Sequence, residues 1–301
     1  MKKMDFTIPF NQEWEEEKQT TITKLKNDPS IHALIQRGMI DESCIDQYPM
    51  KLNRWLQSYQ PCIGCSGLIN CKQKKKGYYS AVQYDGMLNY AEKACTYKRM
   101  QIVEEQHLDY FVINDMPKKM NTVAFKKIDG TNESGDYIDA LRTAISCSQT
   151  KQSLYLYGTM GTGKTYLAAC ACNQHARMKE RVAFVHYPTA CSRLASMLKT
   201  GEYKKEFQLM VGCDFLVLDD IGAESVTEWN RDSILLPLLN ARYESQKPTW
   251  FTSNCDLETL LIHFRFSSKG NDDELKASRI LERIQAMSQT KALTGKDRRN
   301  L

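Results

Sequence analysis

Residues 158–165 read Gly-Thr-Met-Gly-Thr-Gly-Lys-Thr. This stretch fits the pattern G-x-x-x-x-G-K-[ST], which cradles phosphate when a strand precedes it and a helix follows it. The apolar run Leu-Tyr-Leu-Tyr at 154–157 comes before it, and Tyr-Leu-Ala-Ala at 166–169 comes after it. Both flanks are present, so the pattern predicts a nucleotide-binding loop rather than an incidental glycine-rich turn.

The loop supplies groups that bind the phosphates of a nucleoside triphosphate. Glycines let the backbone curl until successive N–H groups point at phosphate oxygens, and the helix start adds partial positive charge. Lys164 is expected to reach the β- and γ-phosphates, and Thr165 to offer its hydroxyl to Mg²⁺. The residues predicted to contact ATP and its Mg²⁺ in this loop are Gly158, Gly161, Thr162, Gly163, Lys164 and Thr165.

Short apolar strands alternate with amphipathic helices from about residue 136 onward. This alternation predicts an α/β fold, in which a parallel sheet is covered on both faces. We expect strands at 153–157, 182–186, 215–218 and 249–252, and helices at 137–147, 165–178, 194–198 and 231–243.

Polar residues follow two of these strands and complete the predicted site. Asp219 and Asp220 end the apolar run that begins at Phe215, as expected of the metal-binding strand of a nucleotide hydrolase. Asp219 would hold Mg²⁺, and Asp220 would orient or deprotonate the attacking water. Asn254 follows the next strand and is our candidate for positioning that water, although Thr252 or the residue after it could equally cap the strand.

The chain has 301 residues, enough for two domains, and 42% of them are hydrophobic, as in ordinary globular proteins. The first residues carry no apolar core of a secretory signal, and no run is apolar enough to span a membrane, so we expect a cytoplasmic protein. The net charge of +5 permits nucleic-acid binding without arguing for it. Turn formers predict a linker at 106–135 between an N-terminal domain, 1–105, and an ATPase domain, 136–301.

Four of the eleven cysteines cluster in the first domain, which otherwise reads as helical pieces. Cys62 and Cys65 have the C-x-x-C spacing of a zinc turn, and Cys71 and Cys95 would complete a closed tetrahedral site. The alternatives are reduced core cysteines or, less favoured, a redox pair, whose usual strand–helix setting is missing.

Basic residues mark two further candidates. The run Lys-Ala-Ser-Arg-Ile-Leu-Glu-Arg-Ile at 276–284 carries arginines that could stabilise phosphoryl transfer across a subunit boundary, or could form surface ion pairs. Lys199, Tyr203, Lys204 and Lys205 could bind single-stranded DNA or could be a solvated helix end.

Taken together, the C-terminal half resembles the AAA+ helicase loaders, specifically the DnaI family, whose cousins are DnaC and the IstB transposition ATPases. The resemblance rests on the loop at 158–165, on Phe-Leu-Val-Leu-Asp-Asp-Ile-Gly-Ala-Glu at 215–224, on Thr-Ser-Asn at 252–254 and on the run at 276–284. It implies an AAA+ P-loop ATPase domain preceded by a smaller, mainly helical zinc-binding domain.

The resemblance also implies a function and further site residues. It implies an ATP-dependent loader of the replicative hexameric helicase onto single-stranded DNA, with helicase contact in the N-terminal domain and self-association through the ATPase domain. Arg283 matches the box that holds the trans-acting arginine, Arg279 is a second candidate, and Arg298 resembles the second sensor. Because the tail that carries Arg298 is short, we expect no full helical lid domain. Two other functions stay open: an IstB-like regulator of transposition, and a DNA- or partner-binding adaptor that only senses nucleotide.

Overall fold

The computed structural model describes residues 12–268, 270 and 272–298. The chain divides into two compact units, Met1–Val103 and Glu104–Leu301. No helix in the described ranges is long and apolar enough to cross a membrane.

The first unit is a small helical body with one β-hairpin. Its elements are α1 (Gln12–Lys26), α2 (Pro29–Gln36), α3 (Ser43–Gln47), α4 (Pro49–Tyr59), a 3-10 turn (Gln60–Cys62), the antiparallel strands β1 (Tyr78–Tyr84) and β2 (Leu88–Ala94), and α5 (Thr96–Glu105), which contains the unit boundary. The apolar residues of α2 and α4 face its interior, where Ile31, Leu52 and Trp55 are buried. These side chains therefore belong to the unit's own core.

The second unit is an α/β body. Its elements are β3 (Phe111–Asn114), α6 (Gly135–Gln149), β4 (Ser153–Tyr157), α7 (Lys164–Arg177), β5 (Val182–His186), α8 (Tyr187–Ser196), α9 (Tyr203–Gly212), β6 (Phe215–Asp219), a π-helix (Trp229–Leu235), α10 (Leu236–Glu244), β7 (Thr249–Ser253), α11 (Leu257–Arg265), α12 (Glu274–Met287) and β8 (Ser288–Ala292).

The described strands of this unit form one six-stranded parallel sheet in the order β3-β5-β6-β7-β4-β8. Two of its central strands, β6 and β7, are buried at every position. Helices cover both faces and enclose two separate apolar clusters. The predicted α/β fold with a parallel sheet is confirmed. Because parallel strands end at one edge, β4, β6 and β7 bring their C-terminal residues together.

Residues 106–135, which the sequence marks as a linker, form part of this second unit. They supply the edge strand β3, and three 3-10 helices, Gln106–Tyr110, Lys118–Met120 and Phe125–Lys127. The buried side chain of Asn173 on α7 donates to the carbonyls of Met120 and Val123 at 2.9 and 3.0 Å. A polar, turn-rich stretch is thus held by the helix beneath it, which its local composition does not reveal.

Candidate nucleotide-binding site

The loop at 158–165 joins β4 to α7 in a conformation that needs glycine. Gly161 and Gly163 have φ values of +81° and +104°, in the left-handed region that other residues rarely adopt. Gly163 immediately precedes α7, so the unpaired N–H groups of the first helical turn begin at the loop. Those N–H groups and the helix dipole favour an anion at this position.

Lys164 is buried at the first position of α7, and its side chain folds back so that the amino group contacts the loop. Its Nζ donates to the carbonyls of Gly158 and Thr159 at 2.7 and 2.8 Å, and to Oδ1 of Asn254 at 2.9 Å. Burial lowers the pKa of Lys164, and the nearby Asp220 and Asp219 carboxylates oppose that shift. The amino group is therefore held by three neutral oxygens, which phosphate oxygens can replace.

Asp219 ends β6 as a buried carboxylate beside two hydroxyls. The hydroxyl of Thr252 donates to its Oδ1 at 2.7 Å. Burial raises the pKa of Asp219, whereas hydrogen bonds from Thr252 and Thr165 lower it. A carboxylate in contact with the loop threonine provides the oxygen ligands that Mg²⁺ prefers, so the residues present fit that cation.

Asp220 is the next residue, and its backbone turns away from the strand. Its φ is +60°, a conformation that aspartate tolerates better than most residues, and its N–H donates to Oγ1 of Thr252 at 2.9 Å. Nδ2 of Asn254 donates to its Oδ1 at 3.0 Å, and Nε2 of His186 lies 4.0 Å from its Oδ2. Asn254 therefore joins Asp220 to Lys164, and Thr252 fixes both aspartates with one hydroxyl.

The arginines predicted for the site lie in two places. Arg283 on α12 donates from Nε to Oδ1 of Asn240 at 2.7 Å, and its guanidinium lies 5.0 Å from the ring centre of Tyr243. Both partners belong to α10, so within one chain Arg283 is engaged away from the loop. Arg298 donates from Nε to the carbonyl of Thr162 at 3.1 Å, which places it on the loop itself.

The four clustered cysteines are partly exposed in the first unit, whereas every other cysteine except Cys255 is buried. The N–H of Gly77 donates to Sγ of Cys71 at 3.3 Å, and the backbone N–H groups of Gly77 and Gln73 lower the pKa of that thiol. Nevertheless, no group of three or more potential ligands is assembled among the described residues. The structure does not show the zinc site that the spacing predicts.

The proposed DNA-binding group lies around the start of α9. Lys199, Lys204 and Lys205 are exposed, as contact with a phosphate backbone requires. Tyr203 is only partly exposed, because its ring packs edge-to-face on Trp229 with 5.8 Å between ring centres. The lysines are available to an anion, whereas the tyrosine is engaged within the fold.

Three residues of the site were not singled out by the sequence. The sequence indicates Thr252 only as a possible strand cap, although its position near the end of β7 could have predicted a place in the site. His186 ends β5 opposite Asp219 in the sheet register, a signal of the same kind. Glu133 contacts the side chain of Arg298, and no local pattern marks it.

Fold and site together define a nucleotide-binding protein with the AAA+ P-loop architecture. The family model described as IstB-like ATP binding protein matches residues 75–299, and the chain belongs to that family.

This chain is also similar to two curated proteins and to one solved structure. Replicative helicase loader DnaI of Bacillus subtilis (strain 168) is 28% identical over 287 residues, which cover 92% of this chain and 91% of that protein. Replicative helicase loader DnaC of Escherichia coli (strain K12) is 26% identical over 110 residues, 36% of this chain and 44% of that protein. A solved structure described as the crystal structure of the DnaI is 29% identical, with a TM-score of 0.54, and covers 64% of this chain and 100% of that chain.

Proposed function

We propose that this protein is an ATP-dependent loader that places a replicative hexameric helicase onto single-stranded DNA in the cytoplasm, during initiation or restart of replication. The observation that carries the proposal is the similarity to a helicase loader along 92% of this chain and 91% of that protein. A similarity of that extent includes the first unit as well as the ATPase fold, so it supports more than ATP binding alone. The nucleotide site supplies the chemistry that such a loader needs.

The contacts of the site suggest how ATP is bound and hydrolysed. Phosphate oxygens replace the carbonyls that now accept from Lys164, and Asn254 loses that lysine while keeping its bond to Asp220. Asp220 is then oriented to accept a proton from the attacking water. Thr165 and Asp219 would hold Mg²⁺, which neutralises charge that develops on the phosphates.

ATP hydrolysis tests the first half of the proposal. Lys164→Ala should abolish ATP binding, whereas Asp220→Asn should keep binding and lower kcat by about a hundredfold or more. Lys126→Ala, which removes an exposed lysine of the same unit, is the matched control and should behave as the unaltered protein. Binding of ATP without hydrolysis by the unaltered chain would instead favour the nucleotide-sensing adaptor.

Helicase binding tests the second half. The full-length protein should co-elute with the replicative helicase of its organism, and the complex should differ between ATP and ADP. Lys164→Ala should remove that nucleotide dependence. If no complex forms with either nucleotide, the loader proposal fails. An ATPase that regulates transposition would then be favoured, because the matching family model is described as IstB-like ATP binding protein.

We also propose that the first unit binds Zn²⁺ through Cys62, Cys65, Cys71 and Cys95. Their partial exposure and the N–H groups directed at Cys71 support this, because both suit thiolate ligands. Elemental analysis of the full-length protein should find one zinc per chain, and less in Cys71→Ser. Cys255→Ser, a half-buried thiol of the second unit, should retain the metal. Equal zinc in both variants would exclude Cys71 as a ligand.

The proposal has two further parts, single-stranded DNA as a partner and self-association through the second unit. Exposed Lys204 and Lys205 support the first, and paired Lys→Ala changes there should weaken DNA binding and reduce its salt dependence. For the second, an arginine of α12 would act on the nucleotide of a neighbouring chain. Mixing Arg283→Ala with Lys164→Ala chains should then restore part of the ATPase activity, and the same mixture with Arg279→Ala tests the alternative.

A further inference from the structure

The last described residues of the chain, 293–298, lie directly against the phosphate-binding loop. The N–H of Leu293 donates to the carbonyl of Tyr157 at 2.7 Å, and the N–H of Arg298 donates to the carbonyl of Gly161 at 2.8 Å. A Cβ on Gly161 would lie 2.1 Å from Oδ1 of Asp297, and one on Gly158 would lie 2.3 Å from the carbonyl oxygen of Leu293. The loop glycines therefore serve a second purpose, which is to let this segment approach.

The side chain of Arg298 is fixed by residues that lie between β3 and β4 in the sequence. Its guanidinium forms a two-pronged ion pair with Glu133, with Nη1 to Oε1 at 2.5 Å and Nη2 to Oε2 as the second contact. The same guanidinium lies 3.7 Å from the ring centre of Tyr137, which is buried at the start of α6. The side chain of Glu133 is only 9% exposed, and the Arg298 guanidinium holds its pKa below the usual range.

These contacts engage all three nitrogens of the Arg298 guanidinium within the chain. Both Nη atoms of the guanidinium donate to the carboxylate of Glu133, and Nε donates to the carbonyl of Thr162. To bind a nucleotide in the manner of a second sensor, Arg298 would have to leave a carboxylate that is nine-tenths buried. Breaking the pair would leave Glu133 with Lys296 as its remaining cationic neighbour, whose Nζ lies 3.8 Å from Oε1, and would so remove most of the compensation for a buried charge, which is unfavourable.

We infer that Arg298 and Glu133 form a latch that positions the phosphate-binding loop from the protein side, and that Arg298 does not contact the nucleotide. Glu133 holds the guanidinium, the guanidinium holds the carbonyl of Thr162, and the backbone of Arg298 holds that of Gly161. The latch keeps the loop in its ATP-binding shape before ATP arrives. This inference rests on the proposed binding of ATP and differs from the sensor role that the family resemblance implies.

The two roles predict opposite effects for Glu133→Gln, which decides between them. As part of a latch, Glu133 helps ATP to bind, so its loss weakens binding. As the resting partner of a sensor arginine, Glu133 competes with ATP, so its loss strengthens binding. The dissociation constant of a fluorescent ATP analogue should be measured for the full-length chain, for Glu133→Gln, for Arg298→Gln and for the double variant.

We expect each single variant to weaken ATP binding on the order of tenfold. The double variant should be no weaker than the weaker single variant, because the two residues act as one unit. Glu104→Gln is the matched control, since it breaks an exposed carboxylate–lysine pair with Lys127 in the same unit and should leave binding unchanged. If Arg298→Gln does not fold, Arg298→Lys keeps the charge, loses the two-pronged geometry and should still weaken binding.

Three results would overturn the inference. Tighter binding by Glu133→Gln together with weaker binding by Arg298→Gln would make Arg298 a sensor. Unchanged binding in both would make the segment passive, and additive losses would separate the two residues. Failure of the unaltered chain to bind ATP would instead refute the proposed function.

Discussion

Replacing Thr252 by valine removes one hydroxyl and keeps the shape of the side chain. That hydroxyl donates to buried Asp219 at 2.7 Å and accepts from the N–H of Asp220 at 2.9 Å. A hydrogen bond to a charged group contributes about 1.5–3 kcal/mol, and a buried N–H left unpaired costs about 1–3 kcal/mol. Water can reach the half-buried Asp220, so we expect an unfolding free energy lower by about 2–4 kcal/mol. The corresponding loss in thermal midpoint is roughly 5–10 °C.

The effect of Thr252→Val should depend on pH in a defined direction. Burial raises the pKa of Asp219 and the Thr252 hydroxyl partly counteracts this, so the variant raises that pKa further. An acid whose folded pKa is raised contributes stability that is complete below its unfolded pKa and is lost as pH rises through the folded value. The destabilisation should therefore be smaller at about pH 5 than at neutral pH, since the protonated acid has less need of the donor.

Urea unfolding of the full-length chain at both pH values measures this difference. Thr143→Val is the control, because Thr143 is partly exposed on α6 and its hydroxyl donates to the carbonyl of Asp139 at 2.9 Å rather than to a charged group. It should change stability by less than about 0.5 kcal/mol. Equal effects of the two substitutions at neutral pH, or a larger effect of Thr252→Val in acid, would refute the assignment of Thr252 as the residue that fixes the aspartates.

Three other predictions follow from contacts of the second unit. Asn254→Ala should lower kcat for ATP hydrolysis by about a hundredfold with little change in ATP affinity, because it leaves Asp220 unoriented; a loss confined to affinity would contradict this. Arg242→Met should lower the unfolding free energy in a denaturant titration by about 3–5 kcal/mol, since this fully buried guanidinium donates to four backbone carbonyls, and an effect below about 1 kcal/mol would contradict it. Burial lowers the pKa of His175, so stability should fall as pH drops below about 6.5, and His175→Gln should flatten that profile; an equal slope in both proteins would exclude His175 as its source.

The sequence predicts best those elements that are apolar along their length. The strands Ser153–Tyr157 and Val182–His186 have the predicted bounds. A short, nearly continuous apolar run is typical of a strand that is buried on both faces of a parallel sheet. The edge strand β8 reads Ser-Gln-Thr-Lys-Ala and was missed, since it forms through pairing with β4 rather than through its own composition. The hairpin of β1 and β2 was also missed, although Asp85-Gly86 at its turn is a recognised signal.

The same distinction applies to the site. The positions of Asp219, Asp220 and Asn254 follow from one rule, that parallel strands end at a common edge, and the structure brings all three to the loop. Glu133 and Arg298 lie 165 residues apart in the sequence, and no local pattern predicts a pairing over that separation. Glu133 lies among turn-forming residues, and only the folded structure shows that it pairs with the guanidinium of Arg298.

The order of elements at the end of the chain joins two parts of the proposed mechanism. Helix α12, which carries Arg283, ends at Met287, and β8 begins at the next residue without a loop. β8 pairs with β4 in parallel, and the segment after it holds the phosphate-binding loop. For Arg283 to reach a neighbouring nucleotide, it must leave its partners on α10, and a displacement of α12 cannot leave β8 unmoved. If Arg283 acts on a neighbouring nucleotide as proposed, movement of α12 would be transmitted through β8 to the latch, so we expect the ATP affinity of one subunit to respond to engagement with the next.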